Sequence, residues 1–291
     1  MGLQERLRSG KFVVLGEFEP PKGADFSPLL RNADLIRGRI DAIVVPEMSN
    51  AVLKASSLGG CAFFQREGIE SVFQLCPRDR NRLALQSDIL SAAALGIKNI
   101  MVVPGQDITH GDHPRARAVY DLDLLGILEA INKLKNGRDL AGVELRGSVD
   151  FCVGTSIDTG APGGLLTIEM EALKKKIELG AEFIVTNPVF DLHRLQEFTK
   201  RVDTGNIALI PTVLLLKSAG MARYIDHNIR GISVPKEMIR RIQKAPDKVK
   251  ECTTIAAELI QGIKEMGLAG VLVSTVGWED KLPQVLDLAK I

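Results

Sequence analysis

The chain has 291 residues, of which 45% are hydrophobic and 25% charged, with a formal net charge of +1. That length and apolar content suffice for a full core and suit one large α/β barrel or two ordinary domains. The near-zero charge excludes the basic balance of a nucleic-acid or polyanion binder. No apolar run approaches the roughly 18 residues of a membrane helix. Met1–Lys11 is polar and charged, unlike a secretion leader. Four cysteines, Cys61, Cys76, Cys152 and Cys252, lie far apart, three of them in apolar segments. They are expected to be reduced and mostly buried in a reducing, cytoplasmic setting. The four histidines, His110, His113, His193 and His227, form no HExxH or other tight metal spacing, so no protein-built metal site is expected.

In chain order, short β-branched runs alternate with polar loops and segments of helical periodicity. The predicted strands are Phe12–Phe18, Asp41–Pro46, Ser71–Cys76, Asn99–Pro104, Val149–Thr155, Glu182–Asn187, Ile207–Leu215 and Gly270–Ser274. Between them lie amphipathic stretches such as Arg80–Leu95, Leu122–Leu134, Thr167–Leu179, Leu192–Val202, Val249–Met266 and Lys281–Ala289. Gly68, Gly96, Gly180 and Gly267 each stand two to four residues before a strand, where a glycine stops a helix and turns the chain back. The strands are almost wholly apolar rather than alternating, as in a parallel sheet covered on both faces. Eight βα units with right-handed crossovers close into a (β/α)8 TIM barrel, so residues 1–291 are predicted to form a single barrel domain. An open doubly wound sheet is the alternative, but its usual GxGxxG turn is missing after the first strand, where Glu19-Pro20-Pro21-Lys22-Gly23 stands instead. Two regions exceed a minimal unit: the polar loop Gly105–Tyr120, and Ser218–Asp247, which is expected to hold one extra helix.

In such a barrel the chemistry sits at the C-terminal ends of the strands. Glu17 and Glu19 stand there at i and i+2, so they face the same side. A glutamate turned into the mouth suits a general acid or a partner for a cationic substrate; the alternative is a structural plug paired with a Lys or Arg. Asp79 or Asn81 suits the cap of the following helix. Gly105, Gln106 and Asp107 open the fourth loop, where glycine admits close backbone approach to a planar cofactor, although such residues also make plain turns. Asn187, ending the sixth strand, offers an amide donor and acceptor. Lys217, after the seventh, is a candidate for phosphate or substrate. Of Lys174-Lys175-Lys176, usually a solvated face, one could reach a phosphate.

None of these residues alone names a reaction; their order does. Gly16–Pro21 (GEFEPP) resembles the FEFFPP-like opening of methylenetetrahydrofolate reductases. Cys76–Ile100 is similar to that family's CRDRN…LQS…ALGI…NI block. Pro104–Asp123 resembles its TGDxxxxGDxPxAxxVxDxD loop, and Leu173–Asp191 its KxxAGAxFxxTQxxFD segment. Leu214–Pro235 resembles a signature of a bacterial and archaeal, barrel-only branch. The likeness runs in unbroken order from about residue 12 to 280 and implies a (β/α)8 barrel that reduces 5,10-methylenetetrahydrofolate to 5-methyltetrahydrofolate with FMN or FAD. It places the acid that protonates the substrate nitrogen on Glu17, which would need a raised pKa. It places the substrate amide on Asn187. It places flavin contacts on Ser56, Gln74, Gly105, Gln106, Tyr120, Asp121, Thr155 and Lys176, the last toward the flavin phosphate. The electron donor it implies is NAD(P)H or an iron–sulfur partner subunit, since the chain has no ferredoxin-type cysteine run. A homo- or hetero-oligomer fits either.

The chain departs from the family around this site. The loop aspartate that stabilises developing positive charge falls on Gln106, which cannot do so through charge. Asp107 takes its place only if the loop shifts by one residue. The histidine on the flavin falls on Gln74, the substrate-stacking phenylalanine on Ala219, and the family glutamine on Asn187. Two alternatives therefore stand beside the reductase: a homologue using another one-carbon pterin or no flavin, and a non-catalytic flavin-binding subunit of a redox complex.

Overall fold

A computed structural model describes residues 1–147, 149–202 and 207–291. Its eight strands are β1 (Val13–Glu17), β2 (Ala42–Val45), β3 (Ser71–Leu75), β4 (Asn99–Val102), β5 (Cys152–Ile157), β6 (Phe183–Pro188), β7 (Ala208–Leu214) and β8 (Gly270–Ser274). All pairings are parallel and follow chain order, and β1 pairs with β8, so the sheet closes into a barrel and the open-sheet alternative is excluded. The helices are α1 (Leu3–Arg8), α2 (Ser27–Asp34), α3 (Ser57–Arg66), α4 (Arg82–Ala94), α5 (Leu124–Lys135), α6 (Gly164–Glu178), α7 (Leu192–Thr199), α8 (Ala219–Asn228), α9 (Lys236–Lys244), α10 (Lys248–Glu265) and α11 (Leu282–Ala289).

Strand alternation divides the core into two shells. Val13, Leu15, Ala42, Val44, Val72, Met101, Cys152, Phe183, Val185, Ile210 and Leu272 fill the barrel interior. Their strand neighbours, among them Val14, Val45, Phe73, Leu75, Val153 and Val273, pack outward beneath the helices. The interior is filled rather than a pore: Phe183 is fully buried, and its ring occupies the space a side chain at Gly154 would need. α1 closes the N-terminal end, with Leu3 set into the interior cluster and its backbone N–H donating to Glu70 at 2.7 Å.

Strand five differs from its expected span. Its ladder begins where Cys152 pairs with Asn99 and runs on to Ile157, because Val149 and Phe151 are buried beneath the helices before the strand joins the sheet. Ser218–Asp247 holds two helices, α8 and α9, rather than one extra. Gly231, at φ 82°, turns the chain between them, and Pro235 stands just before α9, where its fixed φ suits entry into a helix. Gly68, Gly96, Gly180 and Gly267 all have positive φ just past their helices, as helix-ending glycines do. All four cysteines are free and buried. Burial pushes Cys61 up to about 12 and both Cys76 and Cys252 to about 11, so their thiols stay protonated.

Candidate active site

The C-terminal mouth carries polar side chains two residues beyond the apolar interior positions of several strands. Glu17 follows Leu15 and Ser274 follows Leu272; the two are register partners, and Ser274 Oγ donates to Glu17 Oε1 at 2.6 Å. Glu17 makes no ion pair among the described residues, so it is not the paired plug that the sequence allowed. Burial in the mouth, opposed by the Ser274 hydrogen bond and reinforced by the nearby charges of Glu19 and Glu279, pushes its carboxyl up to about 6. Glu19 pairs with Lys54. Glu279 accepts from Thr275 Oγ1 at 3.2 Å and from the Gly277 N–H at 3.1 Å.

The β2–β4 side forms a second wall. Gln74 is buried, its Oε1 accepting from the Glu47 N–H at 2.9 Å, while Ser57 Oγ accepts from the Gln74 N–H at 2.9 Å. Glu47, itself buried, pairs with Arg80 at 2.9 Å. Arg78, only 1% exposed, grips Asp79 through two bonds of 2.7 Å and donates to the Gln106 carbonyl at 3.0 Å, so one guanidinium ties the third loop to the fourth. Gln106 Oε1 accepts from the Asn50 N–H. Asp112 ties three loops together through Lys22, the Leu53 N–H at 2.9 Å and His113. Neither Glu47 nor Arg78 stood out in the sequence; each is a charged residue at the end of an otherwise apolar strand run, and only the fold shows it buried.

The remaining expected residues divide by what they touch. Tyr120, with φ 44° and 52% exposed, stands at the rim, and Gly105, at φ 74°, turns the fourth loop. Ser56 caps α3 by accepting from the Gly59 N–H. Asp121 is joined to Arg82 at 2.9 Å and also accepts from its backbone N–H. Asp107 folds back on Thr109, accepting at 2.7 and 2.8 Å, and those bonds hold its exposed carboxyl below the usual value. Asn81 caps α4, as expected of Asp79 or Asn81. Asn187 is committed at both ends of its amide: Oδ1 accepts from Thr159 N–H and Oγ1, and Nδ2 donates to Asp158 at 2.9 Å. Lys217 lies 5.5 Å from the ring centre of Trp278, the chain's sole tryptophan. Thr155 shares the outward phase of Phe151 and Val153 and bonds the Val102 carbonyl, so its side chain faces the helices. Ala219 begins α8.

Lys174 and Lys175 are exposed, as a solvated face requires, but Lys176 is 6% exposed. Its ammonium donates to the Ser156 carbonyl at 2.8 Å, and its nearest carboxylate, Glu169, is 3.9 Å away; burial holds its pKa below the usual lysine value. A buried cation with so distant a counter-charge suits a phosphate beside it. With Gly105 and exposed Tyr120 in the loop after the neighbouring strand β4, these residues suit the phosphate and one edge of a flavin. No carboxylate is offered from the Gln106 position. Among the described residues, no group of three or more His, Cys, Asp and Glu gathers to hold a metal ion, and no helix is long and apolar enough to cross a membrane.

A closed (β/α)8 barrel with a buried carboxyl at its C-terminal mouth defines the class of TIM barrels with a polar rim. Residues 2–290 match the family model described as methylenetetrahydrofolate reductase, and the chain belongs to that family. Among solved structures it is similar to an uncharacterized protein from Clostridium thermocellum that binds two copies of 5-methyl-5,6,7,8-tetrahydrofolic acid. The TM-score is 0.67 at 15% identity, over 99% of this chain and 97% of that one. It is also similar to EDTA monooxygenase from Chelativorans sp. BNC1, at TM-score 0.55 and 11% identity, over 96% of this chain and 93% of that one. A 2,3-dimethylmalate lyase matches at TM-score 0.56 and 11% identity, over 99% and 81%. At these identities the structural matches speak for the fold alone.

Proposed function

We propose that this chain binds a reduced folate in the C-terminal mouth and reduces 5,10-methylenetetrahydrofolate to 5-methyltetrahydrofolate. The observation that carries this reading is Glu17, a carboxyl at the end of the first strand whose pKa is pushed up to about 6 by burial, so that a protonated fraction persists near neutral pH. Family membership supports the substrate class, and the folate bound by the Clostridium thermocellum protein agrees with it.

The chemistry on this chain begins with proton donation. Glu17 gives its proton to a bridge nitrogen of the methylene-bearing pterin, the C–N bond opens, and the positive charge that develops lies near the carboxylate left behind. Glu19 and Glu279 add negative potential on the same side. Arg78 and Asp112 hold the rim loops in place, and Lys176, Gly105 and Tyr120 would hold a flavin. Such a group would supply the hydride. Asn187 would contribute through the Asp158–Thr159 turn that it fixes, or to a ligand once that turn opens.

The purified protein should carry flavin absorption near ~450 nm. Anaerobic addition of 5-methyltetrahydrofolate should bleach that band, and Glu17→Gln should slow the return of the band when 5,10-methylenetetrahydrofolate is added to the reduced protein. A colourless protein that still interconverts the two folates would remove the flavin and keep the reductase. A yellow protein that never bleaches would mark a flavin-binding subunit without this activity.

A further inference from the structure

Glu17 ends β1 and Ser274 ends β8, at paired positions of the seam that closes the barrel. Each stands two residues beyond an interior leucine, so alternation turns both into the mouth. Ser274 is 5% exposed, and its hydroxyl bonds Glu17 Oε1 at 2.6 Å, in the short range typical of bonds to a carboxylate. The charged groups facing Glu17 are Glu19 on its own loop and Glu279 from the loop after β8; on the other flank, β2 presents Val44. Lys54 is engaged with Glu19. Ser274 is therefore the neighbour placed to orient this carboxyl and to receive its charge.

We propose that Ser274 is the positioning residue of the Glu17 acid: by donating to Oε1 it fixes the carboxyl's orientation and leaves Oε2 as the oxygen that carries the transferable proton. This rests on the reading of Glu17 as proton donor. In a carboxylic acid one oxygen is carbonyl-like and the other bears hydrogen, and a donor on Oε1 selects the first role for it. During transfer the Oε2–H bond breaks and the new N–H bond forms. The electron pair stays on the carboxylate, and the Ser274 bond strengthens as that charge develops.

Ser274→Ala tests this by two readouts. The first is the carbon-13 titration of the Glu17 carboxyl, identified by its loss in Glu17→Gln. Its midpoint should rise by about one pH unit, because a hydrogen bond to the charged form is removed. The second is the anaerobic reoxidation of the dithionite-reduced protein by 5,10-methylenetetrahydrofolate, the direction in which proton donation precedes hydride transfer. Its rate at saturating folate should fall about tenfold or more, with little change in the concentration needed for half-saturation. Ser274→Thr, which keeps the hydroxyl, should restore both. An unmoved midpoint in Ser274→Ala, or a Ser274→Thr protein as impaired as Ser274→Ala, overturns the proposal. If Glu17→Gln reacts as fast as wild type, the proton-donor reading itself fails, and the midpoint then still decides whether Ser274 governs the carboxyl.

Discussion

The two ends of the barrel are built from similar residues and differ in how they treat one carboxyl. At the N-terminal end carboxylates are matched. Glu182 receives Gln4 Nε2 at 2.8 and 3.0 Å and Arg8 at 3.1 Å, Asp41 pairs with Arg6, and Glu70 accepts from the Leu3 N–H and from Asn99. A cleft of about 390 Å³ opens there, but short α1 and its pairs close the barrel interior behind it. At the C-terminal end Glu19, Glu47 and Asp112 are paired as well, but Glu17 has no cation partner among the described residues. Backbone strain gathers there too: Met48, Asn50, Ala51, Tyr120 and Val276 all hold positive φ in loops that follow strand ends. Strained non-glycine residues cost of order 1–3 kcal/mol each. One end thus spends its side chains on closure, while the other carries unpaired charge and strain that stability alone does not require.

The sharpest test of this contrast is Glu17→Gln, which should lower the rate at which 5,10-methylenetetrahydrofolate reoxidises the reduced flavin by about 10²–10⁴-fold while the protein stays folded. A matching change at the base, Leu3→Ala, should leave that rate unchanged. It should cost about 2–5 kcal/mol in denaturant unfolding, since Leu3 is buried in the interior cluster. The same Glu17→Gln variant should be more stable than wild type at pH 8, by about 2 kcal/mol, and equal to it at pH 4. The sign follows from linkage: with its pKa raised from 4.5 to about 6, folded Glu17 binds its proton more tightly than unfolded Glu17, so stability is lost as pH rises through that window and stays lost above it. The smallest effect is expected for Asp121→Asn. It breaks an exposed pair with Arg82 and should leave the denaturant midpoint almost unmoved.

The fold was legible because parallel strands buried on both faces appear as apolar runs, and each run lies within a few residues of its strand. Less visible were the elements whose role depends on what they meet. α1 is six residues long and carries one buried side chain, too little for a periodicity. α3 contains Gly59 and Gly60, poor helix formers; a Cβ on Gly60 would come within 2.7 Å of Val45, so the glycine lets the helix lie close on β2. At the site, Glu17 was readable from its strand-end position and phase. Ser274 carried the same signal, two residues after Leu272, and became visible only when closure set β8 beside β1. Lys176 sits in a run of three lysines that pattern alone cannot separate, and its burial comes from contact with Ser156, twenty residues away. Asn187 and Asp121 are engaged by partners at sequence distances no motif spans.

A folate bound in the C-terminal mouth, and not in the cleft at the base, would lie near Trp278. Trp278 lies at that mouth against Lys217 and is the chain's one tryptophan, so its emission reports on this end alone. Titration with 5-methyltetrahydrofolate, followed in parallel by calorimetry and by inner-filter-corrected tryptophan fluorescence, should give quenching that saturates with the calorimetric stoichiometry. Calorimetric binding with Trp278 emission unchanged would put the ligand elsewhere and rule out the mouth as its site.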